Sequence, residues 1–414
     1  MANAVILARA LGPESRGVLS FSLSIAIYLT AGFNFFASSN PILVARDGKC
    51  IRELISHSFF FAMLIMAFEL VSYFPIFRLG QHSESLSLIL PPKIFLVLIA
   101  LNVVQILFAS FSGLLLGLQD YFYRNYAAML LVVANLVINV ILVLLMNMSV
   151  PSALASLLVS NLICLMFMWR RLAKTIDWTE ERAAFSWSVF FEGVRIGARA
   201  SLSGFLTVFV FRLDIFLVQY FLGASALGIY SVAINTSEVS LALSSVVNLI
   251  IFSKSTSGVG IEGKAIRAGF YCFLASLSFA FFLFAAGWWI IPVAYGSDFR
   301  GAVFPCLIMV SGICVWSWAA PYVGYIHGKS AFPMVFVKIM AGGVVMSLAL
   351  EILLIPLLGL IGAAIARAIS YAVLGFALIS LFHTTTKQPF RGSVSFRGLT
   401  NDIFRLGKEF FAPV

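Results

Sequence analysis

Charged residues are scarce in this sequence. They make up 11% of its 414 residues, whereas soluble domains average about 25%. Apolar residues instead make up 61%, well above the soluble average of about 45–50%. One soluble core could not hide so much apolar surface, so the composition predicts a polytopic membrane protein whose solvent is lipid.

Residues for redox and metal chemistry are also sparse. The five cysteines show no CxxC spacing and the four histidines are widely scattered, so we expect no disulfide framework, metal site or cofactor. The cysteines are Cys50, Cys164, Cys272, Cys306 and Cys314, and the histidines are His57, His82, His327 and His383. The sequence also lacks a P-loop and an HExxH motif. We therefore expect no catalytic residues and a protein that is not an enzyme.

Long apolar runs take the place of the missing charge. A membrane-spanning helix needs about 20 mostly apolar residues, and eleven segments meet that length. They are 18–44, 54–77, 93–118, 126–147, 151–169, 200–222, 227–252, 265–292, 302–326, 333–357 and 359–382. A shorter apolar fragment, 1–10, precedes them and does not resemble a signal peptide. We expect an all-α fold of about twelve transmembrane helices, the first of them incomplete.

The net charge of +10 is spread over short connections rather than one patch, so we expect no nucleic-acid partner. Most lysines and arginines fall on alternate connections and in the tail after residue 384. The opposite side holds Arg9, Arg16, Arg78, Lys93 and Arg300. By the positive-inside rule, we expect the richer side to be cytoplasmic, and both termini with it if the first fragment completes a twelfth span.

An internal repeat accounts for the number of helices. "LGPESRGVLS" (11–20) matches "LGASALGIYS" (222–231), and "NMSVPSALAS" (147–156) aligns with "LLGLIGAAIA" (357–366) at nearly the same offset. An offset of six helices gives both copies the same orientation. We expect two parallel six-helix repeats. The division is an N-terminal lobe (1–171), a cytoplasmic linker (172–199), a C-terminal lobe (200–383) and a cytoplasmic tail (384–414).

When the two copies are aligned with the same offset, Arg212 of the second copy corresponds to Met1 of the first. The first copy would then lack about half of its opening helix. We expect either a truncated or a degenerate first copy, and we favour truncation; either would weaken the expectation that this polypeptide is active.

Seven acidic or basic residues lie inside the expected spans, more than three residues from either end. They are Glu69, Arg212, Asp214, Glu238, Lys338, Glu351 and Arg367. Each costs roughly 2.5–3.5 kcal/mol at a helix centre, so we expect them to face protein or water. Glu351 and Lys338 lie nearer helix ends, which favours structural roles, and Glu69 is left undecided.

Helical geometry separates the charges of "FRLDIFLVQYF" (211–221). Arg212 shares a face with Gln219, whereas Asp214 points the other way and could pair with Arg367 or Lys338. Arginine suits phosphate or carboxylate oxygens, so Arg212 and Arg367, with Gln219, are our candidate substrate ligands. Asp214 and Glu238 are candidates for ion coupling or for structure. The alternative for each residue is a buried ion pair that fixes helix packing.

Several segments together resemble one family. "ILARALGPESRGVLSFSLSI" (6–25), "FRLDIFLVQYFLGASALGIYSVA" (211–233) and "LLIPLLGLIGAAIARAISY" (353–371) are similar to bacterial polysaccharide-export flippases, including the O-antigen (Wzx-type) flippases. "GLLLGLQDYFYRN" (113–125) and "YGSDFRGAVFPCLIMVSGI" (295–313) extend the similarity. These flippases belong to the multidrug/oligosaccharidyl-lipid/polysaccharide exporter superfamily.

The resemblance implies a MATE-like fold, with two six-helix lobes around a cleft that opens alternately to either side. It implies an undecaprenyl-pyrophosphate-linked oligosaccharide as substrate and a bacterial inner-membrane location. Arg212, helped by Arg367, would contact the anionic headgroup. Membrane lipids, a polysaccharide polymerase and glycosyltransferases are the implied partners.

Two other functions remain open from the sequence. A multidrug or cation antiporter of the same superfamily would use a buried carboxylate such as Asp214 or Glu238 for coupling. A membrane polysaccharide polymerase or ligase is a third option, although the longest expected outer connection, 78–92, is short for such chemistry.

Overall fold

The computed structural model describes residues 2–47, 51–81, 92–145, 149–175, 185–256, 261–329 and 334–387. Within these ranges the chain is helical and contains no strand, which confirms the predicted all-α class. The predicted tail from residue 388 onward lies outside the described residues.

Twelve α-helices follow one another along the described part of the chain. They are α1 (Ala2–Gly32), α2 (Phe35–Asp47), α3 (Ile51–Gln81), α4 (Pro92–Gly117), α5 (Tyr121–Leu145), α6 (Val150–Ala173), α7 (Trp187–Ser237), α8 (Leu241–Thr256), α9 (Glu262–Tyr295), α10 (Val303–Lys329), α11 (Met334–Leu358) and α12 (Leu360–Thr386). Two 3₁₀ turns, Glu238–Ser240 and Ser297–Ala302, precede α8 and α10.

Ten helical stretches of the described chain are long and apolar enough to cross a membrane. The stretch Gly204–Phe252 includes nearly all of the predicted span 200–222 and all of 227–252. The eleven predicted spans therefore fall in ten stretches. The protein is therefore a multi-pass membrane protein, as the composition predicts.

The predicted span 18–44 is wrong in one respect, because it consists of two helices. α1 ends at Gly32, and α2 begins at Phe35 after the two-residue break Phe33–Asn34. Glycine is a poor helix former because it loses the most backbone entropy. The surrounding residues are apolar on both sides of the break, so hydropathy alone gave no sign of it.

Helix α7 also begins earlier than residue 200. Its first turns bury Val189 and Phe190 and expose Glu192, as expected of an amphipathic segment. Gly197 lies so close to α2 that a Cβ atom there would overlap the Phe35 carbonyl group. Helix α7 therefore extends along α2 through residues assigned to the linker.

The chain divides into two compact units, Met1–Ser231 and Val232–Val414. In the first unit α4 is the central helix and packs against α1, α2, α3 and α6. In the second unit α10 is central and packs against α8, α9 and α12. Helices α4 and α10 occupy corresponding places in the repeat, and each is the most buried span of its unit.

Two glycines mark corresponding kinks in the repeat. Gly12 has φ 70° and ψ 176°, and Gly223 has φ 82° and ψ 180°. Such positive φ angles favour glycine because it has no Cβ atom. The kinks fall inside the matching strings "LGPESRG" and "LGASALG". The backbone thus reproduces the repeat predicted from the letters.

The two kinked segments also contact each other reciprocally within the first unit. A Cβ atom on Gly17 would overlap the Ala224 carbonyl oxygen, and one on Gly228 would overlap the Pro13 carbonyl oxygen. Gly17 corresponds to Gly228 in the repeat, and Pro13 corresponds to Ala224. The contact is therefore made twice, once from each copy.

Candidate functional site

An apolar cavity of about 770 Å³ lies in the first unit. The end of α1, the start of α2 and the first half of α7 form its walls. Its lining residues are Tyr28, Leu29, Gly32, Phe33, Phe35, Ala198, Ser201, Leu202, Phe205, Phe209, Leu213 and Phe216. A cavity of this size and lining suits a small molecule or an apolar chain.

Aromatic contacts hold the walls of the cavity in place. The Tyr28 ring meets Phe209 and Phe216 edge-on, each at 5.1 Å between centroids. Phe21 meets Phe216 in the same way at 5.2 Å. Edge-to-face pairs of this kind stabilise a packing beyond the area they bury. Ring contacts between α1 and α7 thus fix the walls of the cavity.

The cavity-lining residues are the part of the site that the sequence analysis missed. Phe205, Phe209 and Phe216 recur at intervals of four and seven residues, which places them on one face of α7. This spacing is visible in the sequence, but it is also what ordinary helix packing produces. The pattern therefore predicts a buried or packed face and not a cavity.

The predicted substrate residues Arg212 and Gln219 adjoin this face of α7. Arg212 is three residues after Phe209 and four before Phe216, so it lies on one flank of the aromatic stripe. Its side chain is partly exposed. Gln219 lies two turns further on the same flank and is buried, and its Oε1 atom has no hydrogen-bond partner among the described residues. The structure therefore keeps these two predicted ligands together.

Asp214 occupies the opposite face of α7 and is 1% exposed. The Tyr230 hydroxyl donates a hydrogen bond to its Oδ2 atom at 2.7 Å, and the Ile215 amide donates to Oδ1 at 2.9 Å. Tyr230 follows the kink at Gly223, so this carboxylate ties the two arms of α7 together. Pairing of Asp214 with Arg367 or Lys338 stays a prediction.

Arg367 and Glu238 meet in the second unit. Arg367, on α12, is 2% exposed, and its Nη2 atom donates to Glu238 Oε1 at 2.6 Å and to the Tyr371 hydroxyl at 2.8 Å. Glu238 opens the 3₁₀ turn before α8. A short 3₁₀ stretch inside a longer helical run often marks a hinge or a strained place. The substrate role of Arg367 and the coupling role of Glu238 both stay predictions.

One glycine-rich string has the residue spacing of phosphate-binding loops. "GVGIEGKA" (258–265) contains the pattern GxGxxG and lacks a P-loop only because Ala265 replaces the final Ser or Thr. In nucleotide-binding proteins, the GxGxxG loop and the P-loop each follow a β-strand. Here helix α8 precedes the string and α9 begins at Glu262. The string therefore does not have the context of a nucleotide-binding loop.

Comparisons with known proteins agree with this architecture. A family model described as "Polysaccharide biosynthesis protein" matches residues 6–304. The search of curated proteins gave no match. An inward-facing multidrug resistance MATE family transporter of the MOP superfamily has a TM-score of 0.72 at 14% identity, covering 93% of each chain.

Two further solved structures share the fold. The lipid II flippase MurJ in an inward closed conformation has a TM-score of 0.72 at 14% identity, covering 100% of this chain and 90% of that one. An outward-facing MATE transporter has a TM-score of 0.59 at 18% identity, covering 93% and 90%. The predicted resemblance is confirmed: this chain belongs to the polysaccharide biosynthesis protein family and has the fold of MOP superfamily transporters.

Proposed function

We propose that this protein moves an undecaprenyl-pyrophosphate-linked oligosaccharide from the cytoplasmic to the outer face of the bacterial inner membrane by alternating access. The family match connects the chain with polysaccharide biosynthesis. The fold is that of membrane transporters, one of which is a lipid II flippase. No bond is made or broken in this step.

The observation that carries the proposal is the juxtaposition on α7. Aromatic side chains on this helix line an apolar cavity, and Arg212 and Gln219 flank the same stripe. A polyprenyl-diphosphate oligosaccharide also has an apolar part and a polar part, because its apolar chain is attached to an anionic, sugar-bearing head. The guanidinium of Arg212 offers paired donors to diphosphate oxygens.

The energetics explain why such a substrate needs a protein. Sugar hydroxyls and a diphosphate lose their hydrogen bonds to water when they enter hydrocarbon, at a cost of several kcal/mol for each unsatisfied group. The prenyl chain carries no such cost and can stay in lipid. We propose that cytoplasmic glycosyltransferases supply the substrate and that an outer-face polymerase consumes it.

A reconstitution experiment tests the substrate and the role of Arg212 together. Proteoliposomes would receive a polyprenyl-diphosphate oligosaccharide, and its arrival in the opposite leaflet would be followed by lectin accessibility. We expect Arg212→Gln to lower the initial rate at least about tenfold, because charge-assisted hydrogen bonds contribute about 1.5–3 kcal/mol.

Arg300→Gln is the matched control, since Arg300 is an exposed arginine on the turn before α10 and its loss should leave the rate unchanged. Equal rates for Arg212→Gln and the original protein, at equal reconstitution, would remove Arg212 from the substrate path. No transfer by any variant would refute the flippase proposal itself.

A multidrug antiporter is the second candidate. The MATE likeness and the nearly all-apolar lining of the cavity favour it, because a lipophilic cation could occupy the same space. The same proteoliposomes separate the two functions. Accumulation of a fluorescent lipophilic cation, without lectin-detected transfer, would refute the flippase proposal and support the antiporter proposal.

A further inference from the structure

A buried carboxyl group in the first unit has no role in the site described above. Glu69, in α3, is 4% exposed, and Asn102 in α4 is fully buried beside it. The Asn102 side-chain amide donates a hydrogen bond to Glu69 Oε1. The other carboxyl oxygen, Oε2, is buried and has no hydrogen-bond partner among the described residues.

A chain of oxygen-bearing side chains extends from this carboxyl group to α1. The Thr30 hydroxyl donates to Asn102 Oδ1 at 2.7 Å and lies 3.1 Å from Gln105 Oε1. Three helices therefore bring Glu69, Asn102, Thr30 and Gln105 together. Asn102 lies ten residues into α4, so the cluster sits about 15 Å from the start of that helix, near its middle.

The surroundings of the cluster offer little to balance a negative charge. In the described part of the chain, no lysine, arginine or histidine forms an ion pair with Glu69. Stretches 23–37 and 95–109 of the neighbouring helices contain no acidic or basic residue, and Tyr28 is their single titratable group. On α7, which packs on Tyr28 through Phe209 and Phe216, the charged positions on either side of these rings are Arg199, Arg212 and Asp214.

A buried carboxylate needs a positive partner or a proton, because an isolated charge is poorly solvated in a low-dielectric interior. The neighbouring groups provide oxygen atoms, which are also the ligands that hard cations prefer. We propose that Glu69, with Asn102 and Thr30, forms a cation-binding site in the first unit, whose occupant is a proton or a sodium ion.

The position of Thr30 links this site to the cavity. Leu29 and Gly32 line the cavity, while Thr30, between them on α1, bonds to α4. Helix α1 ends at Gly32, so this last turn is anchored on the cation site on one side and forms a cavity wall on the other. Binding of the cation thus sets the position of a wall of the transport cavity.

Thermal unfolding of the purified protein in lipid nanodiscs tests the site without any transported substrate. One series raises sodium against choline at constant ionic strength and pH. A second series varies pH without sodium. A ligand that binds only the folded state raises the unfolding midpoint, and we expect a rise of about 4 °C at 100 times the dissociation constant.

The variant Glu69→Gln keeps the shape of the side chain and removes its charge. We expect it to abolish the response, whereas Glu14→Gln, at an exposed acidic position, should keep it. A sodium response lost in Glu69→Gln identifies sodium as the occupant, and a pH response lost without any sodium response identifies the proton. The same response in Glu69→Gln as in the original protein, or no response in either, would overturn the proposal.

A second variant keeps the test decisive if Glu69→Gln does not fold. Asn102→Ala removes the amide that holds the carboxyl group, and loss of such a supporting partner weakens cation affinity by about 10–100-fold. The half-saturating sodium concentration should rise by that factor, or the midpoint of the pH response should move by at least one pH unit. An unchanged half-saturation point would refute the site. Because transport is not measured, the flippase proposal can fail or hold independently.

Discussion

Arg367 and Glu238 show how two intramembrane charges can share one contact. The sequence predicts Arg367 as a substrate ligand and Glu238 as a carboxylate for ion coupling or for structure. The structure joins them at 2.6 Å, with the Arg367 side chain 2% exposed and the Glu238 side chain 22% exposed. Residue type identified both as costly intramembrane charges, but helical periodicity carries no information about which distant helices meet.

A double-mutant cycle measures what this pair contributes. Glu238→Gln removes the carboxylate from this contact, and Arg367→Met removes the guanidinium. Breaking a buried pair costs about 3–5 kcal/mol, whereas replacing both partners is often nearly neutral. We expect each single change to lower the unfolding free energy in mixed micelles by about 3 kcal/mol and the double change to restore most of the loss.

Asp298→Asn is the control for this cycle, because Asp298 is an acidic residue on an exposed turn. It should change the unfolding free energy by less than about 0.5 kcal/mol. Additive losses in the double variant would show that the two side chains act independently. The pair would then not be the structural unit that the geometry indicates.

At the scale of the helices, close glycine contacts determine how the two kinked segments meet. Gly17 and Gly228 have no side chain, and each lies directly against a backbone carbonyl group of the other segment. Small residues allow such close approach between membrane helices. The matching letters of "LGPESRG" and "LGASALG" predicted two equivalent segments. They did not predict that the segments touch one another, because a repeat in sequence does not specify the contact between its copies.

Adding one methyl group tests this contact. Gly17→Ala and Gly228→Ala should each lower the unfolding free energy by about 1–3 kcal/mol, since an overpacked contact forces the backbones apart. Gly204→Ala is the matched control on α7, where a Cβ atom would meet nothing within 4 Å. It should be neutral or stabilise by about 0.5–1 kcal/mol.

The double variant Gly17→Ala/Gly228→Ala adds a further criterion. The two methyl groups press on the same pair of backbones, so their effects should not be additive. Equilibrium unfolding in mixed micelles would again provide the measurement. Equal stability of Gly17→Ala and Gly204→Ala would show that the segments are not packed as the structure has them.

The helices themselves were predictable to different degrees. Apolar length was enough to place the spans. The kinks at Gly12 and Gly223 were not predictable from residue type, because few of the described glycines have a positive φ. The break after Gly32 was not predictable, because apolar residues flank it on both sides. The cluster of Thr30, Glu69 and Asn102 was also hidden, since its members come from three helices that are distant in sequence.

At the scale of the whole molecule, the distribution of basic residues bears on orientation. We propose that Lys174, after α6, faces the cytoplasm and that Ser297, after α9, faces outward. Both positions are exposed, and Cys164, Cys272, Cys306 and Cys314 are buried. A background with Cys50→Ser therefore allows a single introduced cysteine to report on one side of the membrane.

Labelling of intact cells with a membrane-impermeant maleimide tests this orientation. We expect Ser297→Cys to react in intact cells and Lys174→Cys to react after the membrane is permeabilised, because lysine and arginine near short connections are retained on the cytoplasmic side. The Cys50→Ser background should remain unlabelled in both conditions, which controls for the buried cysteines. The opposite pattern would invert the topology and, with it, the direction of transport inferred from the side on which the substrate is made.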